Sequence, residues 1–189
     1  GDRHYDTISA FIKSIRGSDP DAAVYYLARM ILAGEDAEFI ARRMVILASE
    51  DIGNASPVAL NLAVSTMTAV KNIGLPEAEI ILSHCAIFLA SCPKSNAACR
   101  AIGEAKASAE KQGVPIPLHL RNAPTGLMKK MGYGKDYRYP HNFPGHFVHE
   151  SYLPPELGDV KFYEPSEEGN EKALRDRLRN LWPERYRRQ

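Results

Sequence analysis

Helix start and stop signals alternate regularly through the first 112 residues and divide them into six segments. The first segment places apolar side chains on one helical face before Gly17, at Ile8, Phe11, Ile12 and Ile15. Asp19 then precedes Pro20, and Asp36 precedes the next apolar stripe, as helix N-cap residues do. Because helices joined by short connections pack against their chain neighbours, this pattern predicts a helical bundle.

The last three of these segments differ in composition. Ser56 with Pro57, Pro76 and Ser95 are the expected starting points of the fourth, fifth and sixth helices. The fifth, PEAEIILSHCAIFLAS, is apolar on nearly every side, which predicts the most buried helix of the bundle. The sixth is rich in alanine, which predicts close packing against a partner helix, either within the chain or in a second copy.

The character of the chain changes after Gly113. Prolines exclude a long helix from the segment VPIPLHLRNAP, and a short helix is expected in PTGLMKKM. Turn formers and aromatic residues then predict loops with short extended pieces, followed by a final helix between Ser166 and Trp182. The expected fold is mainly α. Residues 1–113 form a helical domain and residues 114–189 a loop-rich lid, with a short helix and a basic C-terminal helix, unless the two make one continuous domain.

Composition and charge restrict the class of protein. Hydrophobic residues make up 44% of the chain and the formal net charge is +1, as in a globular rather than a disordered protein. No apolar run approaches the roughly 20 residues that a membrane helix needs, and the start of the chain does not resemble a secretory signal. Cys85, Cys92 and Cys99 are therefore expected to be reduced, buried, structural thiols in a cytoplasmic protein.

Sequence motifs for catalysis or cofactor binding are absent. The chain has neither the G-x-x-x-x-G-K-[ST] phosphate loop nor a G-x-S-x-G nucleophile motif. The segment MVILASEDIG superficially resembles a strand leading to an acidic Mg²⁺ ligand, but its flanking signals favour a helix, on which the adjacent Glu50 and Asp51 would point in different directions. We therefore predict no catalytic, cofactor-binding or metal-binding residue in this chain.

The histidines leave alternatives open. His141, His146 and His149, with Glu150, could in principle bind a metal, but their spacing does not match a zinc pattern and favours hydrogen bonds to the backbone. His84 on the apolar fifth helix is expected to be a buried core histidine.

Basic residues are the remaining candidates for a binding site. Cations alternate with aromatic residues between positions 121 and 150, and further arginines end the chain; the candidate nucleic-acid contacts are Arg121, Lys129, Lys130, Lys135, Arg138, Arg185, Arg187 and Arg188. Single-stranded nucleic acid binds such surfaces by base stacking and phosphate contacts. The alternative is that the aromatic residues fix a long loop to the helices while the lysines stay in solvent, which the near-neutral net charge favours.

Several long segments together resemble one protein family. They are HYDTISAFIKSIRGSDPDAAVYYLARM, FIARRMVILASEDIG, CPKSNAA, VPIPLHLRNAPTGLMKKMGYGKDYRYPHNF and YLPPELGDVKFYEPSEEGNEKALRDRL. They are similar to the C-terminal region of the replication-associated recombination protein A family (RarA, also called MgsA) of AAA+ ATPases, whose eukaryotic relative is the Werner helicase-interacting ATPase. The similarity extends from about residue 4 to about residue 181.

The resemblance implies a specific kind of module. Family members resemble clamp loaders, bind ATP and Mg²⁺ in an N-terminal module, and assemble through a helical C-terminal collar, typically as homotetramers. They act in DNA replication, recombination and repair at stalled forks, near DNA, single-stranded-DNA-binding protein and clamp-loader components, in the cytoplasm at the nucleoid. Because this chain lacks the phosphate loop, the resemblance implies a non-enzymatic oligomerisation fragment whose parent protein is an ATPase.

Overall fold

The computed structural model describes residues 2–111 and 113–187. These residues are mainly helical and include no β-strand, so the predicted mainly-α fold is confirmed. The α-helices are α1 (Asp2–Arg16), α2 (Pro20–Leu32), α3 (Ala37–Leu47), α4 (Val58–Ile73), α5 (Ala78–Ser91), α6 (Ala97–Ala109), α7 (Gly126–Lys130) and α8 (Glu171–Leu181). Short 3-10 turns occur at Gly53–Ala55, Leu118–Leu120, Pro140–Asn142, Pro144–His146 and Pro155–Leu157. Within the described ranges, no helix is both long enough and apolar enough to span a membrane.

The chain divides into two compact units. The first comprises the residues up to Ile102 together with Tyr163–Arg175, and the second comprises Gly103–Phe162 together with the residues from Asp176 onward. The boundary expected from composition near residue 113 remains a prediction.

Several helices begin where the capping signals indicate. Asp19 Oδ1 accepts a hydrogen bond from the Ala22 amide at 2.9 Å, and Asp36 Oδ1 accepts one from the Glu38 amide at 3.0 Å. Each cap satisfies an amide that has no partner inside its helix, which stabilises the start of α2 and α3.

Helix α5 forms the centre of the first unit. It packs against α1, α2, α3 and α4 and buries Leu82, Cys85 and Leu89 completely, which confirms the predicted central helix. Its outer face nevertheless meets solvent, and His84 lies on that face. The prediction of a core histidine was therefore wrong, because the apolar composition of a helix does not show which of its sides is covered.

Helix α6 packs less closely than its composition suggests. Ala97 is its only residue classed as buried, and Ile102 is 61% exposed. Of the two predicted kinds of partner for the alanines, the structure does not show close packing within the chain. Alanine is also the strongest helix former and is favoured on exposed helices. Packing of α6 against a second copy remains a prediction.

The three cysteines differ in burial. Cys85 and Cys92 are buried, as expected, whereas Cys99 is exposed on α6, so the prediction of a buried thiol at Cys99 was wrong.

A π-helical turn follows α3 and brings two acids to one arginine. This turn, Ala48–Ile52, widens the helix just before Gly53. Arg16 Nε donates to Asp51 Oδ1 at 2.7 Å, and its Nη2 donates to Glu50 Oε1 at 2.9 Å. The prediction that the two carboxylates point apart was wrong, because the wide turn and the long guanidinium let both reach the same partner.

Within the first unit, the segment before α8 is held closely against the turn that contains Ala55. The Asn170 amide donates to the Ala55 carbonyl at 2.9 Å. A Cβ atom at Gly169 would lie 2.3 Å from that same oxygen, and Gly169 has a φ of +52°. Only glycine fits this approach, which explains the glycine four residues after Pro165.

Candidate functional site

Three of the predicted contact lysines line one cavity in the second unit. Lys129 and Lys130 lie on α7, and Lys135 lies on the turn that follows it. The cavity has a volume of about 730 Å³. Its other walls are formed by Pro117–His119 and by residues near Glu150. The structure thus brings together the central part of the predicted basic segment.

Local chain geometry positions these lysines. Thr125 Oγ1 accepts a hydrogen bond from the Met128 amide at 3.2 Å and so starts the five-residue helix α7. The chain then reverses at Gly132 and Gly134, whose φ angles are +88° and +74°. The Gly134 amide donates to the Leu118 carbonyl at 2.7 Å, which ties this turn to the opposite wall of the cavity.

Glu150 is one of two acidic residues that line the same cavity, with Asp136 as the other. Its side chain is 13% exposed, and its Oε1 lies 3.8 Å from His119 Nε2 and 4.0 Å from Arg138 Nε. These distances are too long for hydrogen bonds. Its Oε2 is buried and has no hydrogen-bond partner. His119 Nε2 instead lies 3.0 Å from the Ser151 carbonyl, to which it donates. The carboxylate therefore has a guanidinium and an imidazole nearby but no bound donor on its buried oxygen.

Two of the predicted contact arginines are occupied within the protein. Arg121 Nε donates to the Ile116 carbonyl at 2.8 Å, and its guanidinium stacks on Tyr133 at 4.9 Å from the ring centre. Arg138 Nη2 donates to the His149 carbonyl at 3.2 Å. These two side chains stabilise the loops around the cavity, which agrees with the alternative that this segment is fixed within the protein rather than exposed to bind nucleic acid.

Some aromatic residues of the segment 121–150 fix the loop to the protein, whereas others are exposed as nucleic-acid binding would require. Phe147 packs edge-to-face against Trp182 at 5.4 Å between ring centres. Tyr137 and Tyr139, in contrast, are about half exposed. Part of the segment is thus fixed by its aromatic side chains, while two tyrosines remain available to solvent.

A second cavity, of about 680 Å³, lies beside Trp182. Arg185 and Arg187 line it, and the Arg185 guanidinium lies 4.6 Å from the centre of the Trp182 ring. His149 Nε2 lies 3.3 Å from Glu184 Oε2. The backbone amide of Glu184, together with His149, lowers the pKa of that carboxyl. Arg188, the last predicted contact, lies outside the described residues.

The histidines do not converge on one point. The rings of His141 and His146 are 4.8 Å apart, whereas His149 pairs with Glu184. Among the described residues, no cluster of three or more histidine, cysteine, aspartate or glutamate side chains is arranged to bind a metal ion.

Sequence reasoning missed the role of two residues at these cavities. Glu150 was considered only as a metal ligand, and Trp182 only as the end of a helix. Their partners are remote in sequence, since His119 is 31 positions from Glu150. The available signal was that Glu150 is one of only two acids in the basic segment 121–150.

Comparison with known proteins gives a consistent result. The sequence model of the family described as MgsA AAA+ ATPase C terminal matches residues 17–182. An AAA domain-containing protein of Mycobacterium tuberculosis is 49% identical over 183 residues, which cover 96% of this chain and 40% of that protein. The replication-associated recombination protein A of Bacillus subtilis is 47% identical, over 93% of this chain and 42% of that protein. The replication-associated recombination protein A of Escherichia coli K12 is 45% identical, over 94% of this chain and 40% of that protein.

The chain therefore spans about two fifths of the length of these relatives. The family match covers most of the 189 residues and includes all of α2 to α8. On this evidence the chain belongs to the MgsA AAA+ ATPase C-terminal family.

Proposed function

We propose that this chain is a non-catalytic oligomerisation domain that joins copies of an AAA+ ATPase into a homotetramer. The chain belongs to a family of ATPase C-terminal regions, which supports a role beside the ATPase module rather than in catalysis. Most soluble homo-oligomers have closed symmetry, so a tetramer would be a closed assembly. The 189 residues contain no phosphate-loop motif, so our proposal assigns the nucleotide chemistry to another part of the parent protein.

The observation that carries this proposal is the apolar surface on α4 and α5. Ile80 is 74% exposed and Ile87 is 44% exposed, one above the other on the outer face of α5. Leu60 and Val64 are exposed one turn apart on the adjacent α4. Large apolar side chains grouped in this way mark interaction surfaces. A second copy of the chain would remove them from water and gain roughly 25 cal/mol for each Å² of apolar surface covered.

The parent protein, in our proposal, hydrolyses ATP with Mg²⁺ and maintains DNA replication and recombination at stalled forks. The names of the relatives in Bacillus subtilis and Escherichia coli support the replication and recombination part of this role. Its partners would be DNA, single-stranded-DNA-binding protein and clamp-loader components, in the cytoplasm at the nucleoid.

Light scattering coupled to size-exclusion chromatography tests the oligomerisation role. We expect a particle of four chains of 21.0 kDa at micromolar concentration. Ile80→Lys should shift the particle toward smaller species, because an interface cannot readily bury an unpaired ammonium group. A monomer at every concentration of the unaltered chain contradicts the proposal.

Ala28→Lys is the matched control. Ala28 is exposed on α2, so this variant introduces the same charge at an exposed position that is not on α4 or α5. It should retain the mass of the unaltered chain. If both variants dissociate equally, added charge rather than the apolar surface explains the loss.

A further inference from the structure

We propose that the cavity beside α7, here called the lysine cavity, binds a nucleotide. Its phosphate lies on Lys129, Lys130 and Lys135, and its base donates an N–H hydrogen bond to Glu150. The site would accept a nucleotide whether it is free or part of a single strand, since phosphate and base are common to both. This inference goes beyond oligomerisation and does not depend on it.

Charge is distributed unevenly around the lysine cavity. Three exposed ammonium groups lie on α7 and the turn that follows it. Glu150 lies on another wall, whereas Asp136, the second acid, directly follows Lys135, so the lysine side keeps an excess of positive charge. A ligand that matches this distribution has an anionic group at one end and hydrogen-bond donors at the other. A nucleotide with an amino-bearing base has both.

The unsatisfied oxygen of Glu150 is the second step of the argument. A buried acceptor without a donor costs about 1–3 kcal/mol relative to one that is paired. Neither His119 nor Arg138 reaches hydrogen-bond distance of this carboxylate. The terminal torsion of a glutamate is soft, so the carboxylate can rotate to present an oxygen to the cavity that the side chain already lines. A donor from a ligand would then complete the carboxylate.

Size and lining agree with a nucleotide. A volume of about 730 Å³ lies within the usual range of roughly 300–1,000 Å³ for small-molecule sites. Apolar side chains lie between the charged walls, among them Leu118, Met131 and Leu153. Such side chains contact the faces of a base while its edge reaches a polar group.

A carboxylate distinguishes bases by their donors. Because ionised glutamate can only accept, it pairs with the amino group of cytosine and not with the carbonyl oxygen that uracil carries at the same position. Cytosine and uracil nucleotides are otherwise the same size. Their comparison therefore isolates the contribution of Glu150.

Binding of two matched probe pairs tests the proposal on the full chain. Calorimetry with dCMP and dUMP examines the free nucleotide, and fluorescence anisotropy with labelled 12-mers of dC and dU examines the strand. We expect the cytosine probe to bind roughly tenfold more tightly in at least one pair. Binding of the strand alone identifies the ligand as a nucleic acid, and binding of dCMP identifies a free nucleotide. No binding by any probe, or equal binding of both bases, overturns the proposal.

Variants separate the two halves of the site. Glu150→Gln keeps the shape of the side chain and should remove the preference for cytosine. Lys129→Gln combined with Lys130→Gln should weaken both bases equally and reduce the salt dependence of binding. These lysines are exposed, so this second test holds even if Glu150→Gln does not fold. Lys106→Gln, an exposed lysine on α6 outside the cavity, should leave binding unchanged; an equal loss in that control overturns the assignment.

Discussion

At the scale of single residues, Glu171 is a buried carboxylate with several hydrogen-bond donors in the first unit. It is 1% exposed, and its carboxylate accepts hydrogen bonds from the Ser166 amide at 3.0 Å and the Tyr163 hydroxyl at 2.7 Å. Burial by itself would raise the pKa of this carboxyl, but hydrogen bonds from Ser166, Ser95 and Tyr163 outweigh it and lower the pKa below the ordinary value. The charged form therefore fastens the start of α8 to the segment that precedes it.

We expect Glu171→Ala to lower the free energy of unfolding by about 2–3 kcal/mol, because it leaves several donors without an acceptor. Glu167→Ala is the control: Glu167 pairs with Arg175 at 2.7 Å but is 66% exposed. An exposed pair contributes less than about 1 kcal/mol. Urea denaturation followed by circular dichroism measures both, and equal losses in the two variants would contradict the anchoring role.

The stabilisation from Glu171 should also depend on pH. A carboxyl whose pKa is lowered by folding stabilises the native state fully above its unfolded value of 4.5, and this contribution disappears as the pH falls through the lower folded value. The difference in unfolding free energy between the unaltered chain and Glu171→Gln should therefore shrink between pH 6 and about pH 3. Parallel urea titrations measure it. A difference that stays constant with pH would show that Glu171 does not titrate with folding.

At the scale of the helix, local signals are the ones that sequence reasoning interprets correctly. The cap of α2 involves Asp19 and Ala22, three residues apart, so the pattern is complete within one turn. We expect Asp19→Ala to cost about 1 kcal/mol of stability. Asp21→Ala on the same helix should cost only a few tenths, through the helix dipole. Chemical denaturation distinguishes them, and a loss for Asp21 as large as for Asp19 would assign the effect to charge rather than to the cap.

Helix faces and remote pairs lie beyond such local signals. The sequence shows that α5 is apolar on nearly every side, but not whether a neighbour covers the side that carries His84 and Ile80. The pairing of Arg16 with Asp51 joins residues 35 positions apart through a π-helical turn that no propensity indicates. Glu150 acquires its surroundings in the same way. The helices of this fold are therefore predictable from sequence, whereas the cavity that they and the loops form is not.

The exposure of α6 gives a prediction for its cysteine. Burial raises the pKa of the Cys85 thiol to about 11 and also raises that of Cys92, so neither is reactive at neutral pH. We expect Ellman's reagent to label one thiol in the native chain, Cys99, and three after denaturation. Mass spectrometry after alkylation identifies the labelled position. Rapid labelling of Cys85 in the native chain would contradict the packing of α5.

For the molecule as a whole, the two units carry different kinds of surface. The first unit exposes apolar residues on α4 and α5, which are suited to contact with another protein chain. The second unit has short helices and turns around two cavities lined by both cations and acids. The two units therefore offer surfaces of different chemistry, one apolar and one with charged cavities.

If the folded chain is stabilised by association, its thermal midpoint must depend on concentration. Mass action favours the assembled state, so a tenfold increase in protein should raise the midpoint by on the order of 3 °C for a chain of this size. Ile80→Lys should abolish this dependence, whereas Ala28→Lys should keep it. Scanning calorimetry over a hundredfold range of concentration makes the comparison. A midpoint independent of concentration in the unaltered chain would mean that association, if it occurs, contributes nothing to folding, and the apolar residues of α4 and α5 would then need a different partner.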